Sequence, residues 1–469
     1  MFKHWKKNFF IFFVLVLGVY FIINNSINKG KTNILENLLS QKQKNFIKKN
    51  FFPHKDRDRL YGVIVSMEKD LADQKQTISL TEYIDWLDLE LRFKKSLKDI
   101  ETKKILSIKL DNNLDFKKFK LVDGFYAGRA RLFPGTGYID FHNDNLIVLS
   151  ARGIIGFSKE INENLHFKQI NNNLTNFINK EQYDKNKWFA LKDLHISNNH
   201  IFVSYDEEMK TDCWNKSVVW AKMNYKEIKF KKLFSSNKCI HSVNNIDKEF
   251  KAFQSGGRLF NFDNNNILLS VGEYRSRHLA QEKDNINGKV IKINIDDSSY
   301  KIVSMGHRNP QGLFFDKENN YILETEHGPM GADEINLIEV EKFNNGEIQN
   351  YGWAISSAGI HYGAIDGVPN KSYEKYPLYK SHKDHGFIEP LKVFTPAIGI
   401  SQIAKIKNKN YVVSSLKHKS LFFFELNDKN KIINLRRVEV FERIRDITIK
   451  DNKLYLFLED TASIGIIKL

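Results

Sequence analysis

Two stretches in the second half of the chain combine residue types that bind anions and hard cations. Residues 306–312 read Gly-His-Arg-Asn-Pro-Gln-Gly. Within them Arg308 offers a planar, permanently charged fork for a carboxylate. Asn309 and Gln311 add neutral donors and acceptors, and Pro310 stiffens the loop that presents them. A purely structural loop is the plainer use of the same residues. Residues 326–336 follow as Glu-His-Gly-Pro-Met-Gly-Ala-Asp-Glu-Ile-Asn. There Gly328 and Pro329 can turn carbonyl oxygens inward, and Ca2+ takes oxygen ligands in loose geometry. The alternative is a turn carrying solvated carboxylates.

The elements that position these loops read as strands. From Lys104 onward, short apolar runs alternate with turn residues: Ile105–Leu110, Leu146–Leu149, Ile201–Tyr205, Ile267–Val271, Val290–Ile293, Tyr321–Leu323, Tyr411–Val413, Leu421–Leu426 and Leu454–Leu458. Each is strand length and rich in β-branched or aromatic residues. Clusters such as Asp111-Asn112-Asn113, Asn264-Asn265-Asn266 and Asp451-Asn452 separate them. Many short strands with regular turns indicate an all-β sandwich, barrel or propeller. This stretch is too long for one sandwich, and in four-stranded blades it gives roughly six of about 60 residues each.

The N-terminus differs. Lys3, Lys6 and Lys7 precede an apolar run from Phe9 to Ile23, which Asn24, Asn25 and Ser26 end. This is the pattern of an export signal. No small-x-small cleavage site follows, so an uncleaved anchor is expected over residues 1–30, with a cleaved signal peptide or a buried helix as the alternatives. The positive-inside rule then sends the rest of the chain to the periplasm or another extracytoplasmic space. Residues 31–100 read as a partly helical extension, and 101–469 as the propeller. The only cysteines, Cys213 and Cys239, can pair in an oxidising compartment or stand as two reduced thiols; two cysteines alone make no zinc site. Lys and Arg number 72 against 56 Asp and Glu, a formal charge of +16. No basic block carries interleaved aromatics, which argues against a nucleic-acid partner.

The two loops, with Asn350-Tyr351-Gly352-Trp353 after them, resemble the signature of the soluble glucose/sorbosone (aldose sugar) dehydrogenase family. Gly256-Gly257-Arg258-Leu259, Ser270-Val271-Gly272-Glu273, Leu279-Ala280-Gln281 and Asn287-Gly288-Lys289-Val290 extend the likeness upstream. Pro396-Ala397-Ile398-Gly399, Ser414-Ser415-Leu416-Lys417 and Arg443-Ile444-Arg445-Asp446 extend it downstream. It is good over 250–469, weak over 104–250 and absent before. The resemblance implies a six-bladed β-propeller that uses pyrroloquinoline quinone (PQQ) and calcium. It implies that Arg308, Asn309, Gln311, Lys417, Arg443 and Arg445 hold the quinone, with Arg308 also polarising its carbonyl. It further implies a calcium on the Gly328 and Pro329 carbonyls, and a structural calcium on Glu334 and the Tyr351 carbonyl, with Asp333 a further candidate.

One departure matters. The family places a histidine, its general base, just before the Gly-Arg-Leu strand; the matching residue here is Gln254, and an amide cannot take a proton. The family's Gly-Asp pair reads Gly272-Glu273. His241 and His278 could replace the base only by another backbone path. Three functions follow. The first is a PQQ-dependent oxidoreductase acting on an aldose or related alcohol and passing electrons to an envelope acceptor. The second is a non-catalytic, membrane-anchored propeller that binds carbohydrate or protein, and the third is a membrane-tethered assembly factor.

Overall fold

The computed structural model describes residues 99–100, 102–121, 136–151, 153–158, 165–178, 182, 185, 190–364 and 370–469. The expected anchor over 1–30 and the expected extension up to residue 98 lie outside them. Asp99–Ile100, the end of that extension, is a short strand. No helix among the described residues is long and apolar enough to cross a membrane.

Six antiparallel sheets follow one another as the blades of a propeller. Their innermost strands are Gly137–His142, Leu191–Ser197, Gly256–Asn261, Pro310–Asp316, Ile400–Lys407 and Ile444–Lys450. These six contact one another in a closed ring. The sixth blade joins the two ends of the propeller, because Ser463–Lys468 pairs with Asp115–Leu121, which in turn pairs with Thr102–Lys109.

Every apolar run noted in the sequence lies in or against a strand of a blade, and apart from Ile105–Leu110 most of their residues are buried, because each blade is packed on two neighbours. Tyr138, Ile147 and Leu149 of the first blade meet Leu191, Val203 and Tyr205 of the second. Phe202 and Val218 then meet Leu259 and Leu269, and Leu268 and Val290 meet Leu313 and Ile322. The ring closes where Tyr455, Phe457 and Ile464 pack on Ile139, Leu146 and Val148. Each such side chain contributes about 1.5–3 kcal/mol by leaving water.

The innermost strands obey a different rule, since they line the central channel and carry polar groups into it. Arg258 is 3% exposed and occupies the middle. Its Nη1 donates to Asp193 Oδ1 at 2.8 Å and Asp446 Oδ1 at 2.7 Å. Nε donates to the Gln311 carbonyl and Nη2 to the Arg445 carbonyl, both at 2.6 Å. The guanidinium also lies 5.4 Å from the Tyr138 ring centroid. One side chain thus ties five of the six innermost strands together. Burial holds Asp446 up at about 7 despite the opposing pull of Arg258.

In the second blade, Cys213 opens the strand Cys213–Lys222 and is disulfide-bonded to Cys239, beside the short strand Ile240–His241 that pairs with it. The bond closes a loop with a sequence separation of 26. Replacing both cysteines with serine is expected to lower stability by about 3 kcal/mol, read as a shifted urea midpoint.

Candidate functional site

The starts of the innermost strands and the loops that follow the second strands share one end of the channel, and the candidate residues of the sequence gather there. Gln254 stands two residues before Gly256–Asn261, and Arg308 and Asn309 stand just before Pro310–Asp316. Arg443 and Arg445 flank the start of Ile444–Lys450. Hydrogen bonds knit these openings together: Gly256 N donates to Asn309 Oδ1 at 3.2 Å, Gln311 Nε2 donates to the same oxygen at 3.1 Å, and Arg445 Nη1 donates to Gln311 Oε1 at 3.2 Å. Lys192, Ser255, Pro310, Gln311 and Arg445 line a small cavity at the centre.

The cations are arranged in groups. Arg443 and Arg445 both pair with the fully buried Glu459, at 3.0 Å each. Lys192 and Lys216 both pair with the buried Asp206, at 3.0 and 2.6 Å. Lys417 is exposed on the loop after Asn410–Ser415 and has no ion pair among the described residues.

Arg308 is 4% exposed. Its Nη1 donates to the carbonyls of His327 at 2.7 Å and Gly328 at 2.6 Å, and its backbone N–H to Glu326 Oε2 at 2.5 Å. The guanidinium lies 5.4 Å from the Trp353 ring and 5.7 Å from the Tyr362 ring. Arg275 stands over the same Tyr362 at 5.0 Å, and Arg277 over Trp353 at 5.7 Å. Arg277 is held by Glu249 and by His361 Nδ1. These three arginines surround Glu273.

Glu273 is fully buried, and no side chain hydrogen-bonds its carboxylate; its one nearby donor is the Arg275 backbone N–H, too poorly aligned for a good hydrogen bond. Burial pushes its pKa up to about 7, while Arg308, Arg277 and Arg275 pull it down. Its loop lies against that of Gln254. Tyr274 N donates to the Gln254 carbonyl at 2.8 Å, and a Cβ on Gly272 would come within 2.4 Å of that oxygen. Gln254 is itself 2% exposed, with Oε1 unpartnered. The histidines considered as substitutes are engaged elsewhere. His278 Nδ1 lies 2.9 Å from Asp247, and His241 is exposed on the strand that pairs with Cys213. The sequence marked Glu273 only as a departure; its chemistry comes from being buried beside Gln254 with no side-chain hydrogen bond.

A model of the glucose/sorbosone dehydrogenase family matches residues 189–468. The chain belongs to this family. It is 26% identical over 230 residues to aldose sugar dehydrogenase YliI of Escherichia coli, a match covering 44% of this chain and 57% of that protein. It is 38% identical over 101 residues to quinoprotein glucose dehydrogenase B of Acinetobacter calcoaceticus, covering 18% and 20% of the two chains. The chain spans about half the length, or less, of these curated relatives. Among solved structures, the fold matches soluble aldose sugar dehydrogenase of E. coli in its apo form with a TM-score of 0.54 at 19% identity, over 71% of this chain and 94% of that one. It also matches a PQQ-bound aldose sugar dehydrogenase of Streptomyces coelicolor with a TM-score of 0.52 at 15% identity, over 79% and 98%.

The residues present fit a planar polycarboxylate of the family's PQQ type: clustered lysines and arginines at this end of the channel, an exposed Lys417, and orphaned donor atoms on Arg275 and Trp353. The Gly328 carbonyl also fits a cation, since it already accepts from the Arg308 guanidinium, whereas the Pro329 carbonyl accepts from the Ala332 N–H at 3.3 Å. A Cβ on Gly328 would lie 1.4 Å from the Ala332 carbonyl oxygen, so the loop requires glycine. The second expected calcium set fits less well. Asp333 Oδ2 accepts from Gly399 N at 2.6 Å and Ile400 N at 3.0 Å, which makes it a brace for the next blade. His382 lies between the other two groups, with Nδ1 3.0 Å from the Tyr351 carbonyl and Nε2 3.9 Å from Glu334 Oε1. An imidazole therefore stands where the ion was expected.

Proposed function

We propose that this chain is a PQQ-dependent oxidoreductase acting on an aldose or related alcohol, with Glu273 as its proton acceptor. The observation that carries this reading is a buried carboxylate with no side-chain hydrogen bond, set among three arginines at the face where Arg308, Asn309, Gln311, Arg443 and Arg445 converge.

Arg443, Arg445 and Lys417 supply fixed charge for the cofactor's carboxylates, and Asn309 and Gln311 hydrogen-bond its polar edge. The Gly328 and Pro329 carbonyls would hold a calcium ion, which would supply Lewis-acid polarisation, and Arg308, whose guanidinium rests on the Gly328 carbonyl, adds fixed positive charge beside it. When bound, the quinone supplies the acceptor for the hydride that leaves the alcohol carbon. Glu273 takes the hydroxyl proton. Its raised pKa suits that task near neutral pH, where a free carboxylate would be too weak a base. Gln254 serves as a hydrogen-bonding residue through its orphaned Oε1.

The N-terminal pattern and the Cys213–Cys239 disulfide support an anchored chain whose propeller faces an oxidising, extracytoplasmic space. Electrons would then pass to a membrane or periplasmic acceptor. The amide at position 254 favours one other reading, a propeller that binds carbohydrate without turnover.

Titration of PQQ into the purified protein with Ca2+, followed by protein fluorescence, tests cofactor binding. Saturable binding at one equivalent is expected, weakened roughly tenfold or more when Arg445 is replaced with Ala, by loss of a charge-assisted pair. Absence of binding in wild type would leave the carbohydrate-binding reading.

A further inference from the structure

Behind the Arg308 loop lies a second buried cluster that the proposed reaction does not use. His307, Glu324 and Asn336 are fully buried, and Glu326 is 3% exposed. His307 Nδ1 faces two carboxylates, 3.3 Å from Glu326 Oε1 and 3.7 Å from Glu324 Oε2. The ligand atoms of the three residues lie within 4.8 Å of one another. Asn336 Nδ2 donates to the same two carboxylate oxygens, at 3.0 and 3.1 Å.

We propose that His307, Glu324 and Glu326 form a site for a divalent transition ion of the zinc or manganese class, which braces the loop presenting Arg308. The spacing supports this. Ligands held about 2.1 Å from a tetrahedral ion stand roughly 3.4 Å apart, and His307 Nδ1 stands 3.3 and 3.7 Å from the two carboxylate oxygens. The donor set is mixed nitrogen and oxygen, which selects such an ion over calcium. The other ring nitrogen, Nε2, lies 2.8 Å from the buried Ser304 Oγ, the outer-sphere contact that orients a metal-ligating imidazole.

A separate observation points to a missing partner. Glu324 Oε1 and Asn336 Oδ1 are fully buried and have no hydrogen-bond partner. An orphaned carboxylate oxygen is costly in a dry interior, and a cation is the direct remedy. The alternative is an added proton, because burial, and then repulsion from Glu326, drive the Glu324 carboxyl well above its ordinary range. The consequence for the loop is geometric. Glu326 Oε2 receives the Arg308 backbone N–H, and His307 stacks on Tyr351 with ring centroids 4.8 Å apart. An ion on Glu326 would therefore fix the backbone that carries Arg308.

The test uses the full chain, stripped with a chelator and titrated separately with Zn2+, Mn2+, Co2+ and Ca2+ by calorimetry. One equivalent of a transition ion should bind, raise the melting temperature, and with Co2+ give visible absorption from a nitrogen-containing site. Glu324→Gln keeps the side-chain volume and should weaken that binding by roughly a hundredfold or more. A Glu273→Gln control should leave it unchanged. The proposal is overturned if only Ca2+ binds, if no ion binds, or if Glu324→Gln binds Zn2+ as tightly as wild type. The cofactor reading stands or falls separately, on PQQ binding.

Discussion

Glu273→Gln is expected to reduce turnover by roughly 10²–10⁴-fold while leaving PQQ affinity within a fewfold of wild type. The amide keeps the shape of the side chain but cannot accept a proton. The pH profile separates this from a structural effect. Activity needs the ionised carboxylate, so kcat/KM in wild type should rise with pH and level off above about 7, and the variant's residual rate should lack that rise. Stability supplies an independent check with a defined sign. The folded pKa lies above the ordinary carboxyl value of 4.5, so Glu273 favours the folded state below that value and loses this contribution as pH rises through about 7. The loss amounts to roughly 3 kcal/mol at most, which the neutral variant does not suffer. Melts of the cofactor-free chain at pH 5 and pH 8 should therefore show the variant gaining on wild type at the higher pH. If Glu273→Gln turns over normally and Gln254→His raises the rate more than a hundredfold, the proton acceptor is not Glu273.

The other large effect concerns the channel. Arg258→Met should cost about 3–5 kcal/mol, because it leaves Asp193 and Asp446 buried without their shared cation. Arg258→Lys should recover little, since one ammonium cannot reach two carboxylates and the carbonyls of Gln311 and Arg445 together. With the guanidinium gone, both carboxyls should titrate higher still. The Arg258→Met variant should then be least impaired near pH 5 and most impaired near pH 8. Adding Asp446→Asn should restore part of the loss at pH 8, read as a recovered urea midpoint.

What the sequence revealed follows from which side chains meet apolar surroundings. Strands such as Leu146–Leu149 and Leu454–Leu458 are enclosed between two blades, so every residue is apolar and the run is easy to read. The innermost strands Leu191–Ser197 and Ile444–Lys450 went unread because Asp193 and Asp446 interrupt them, and those residues point at Arg258 rather than at a core. The resemblance led to Arg308, Asn309, Gln311, Arg443 and Arg445 because these sit in compact motifs at strand starts. It did not show that Arg443 and Arg445 share Glu459, which lies a strand away. Asp333 looked like a metal ligand from its place in an acidic loop. Its carboxylate instead caps backbone N–H groups more than sixty residues further on, a pairing that only the closed ring creates. Glu324 drew no attention because a single carboxylate within a strand has no local signature. Its meaning depends on His307 and Asn336 arriving from neighbouring strands and loops.

The most direct test of the central claim is anaerobic mixing of the PQQ- and Ca2+-loaded protein with a panel of aldoses, following the absorbance of the bound quinone. The account predicts that at least one aldose bleaches it within a single turnover, more slowly when the anomeric carbon carries deuterium, and far more slowly in Glu273→Gln. A loaded protein whose quinone no aldose or related alcohol reduces would contradict the account and leave a propeller that binds without turnover.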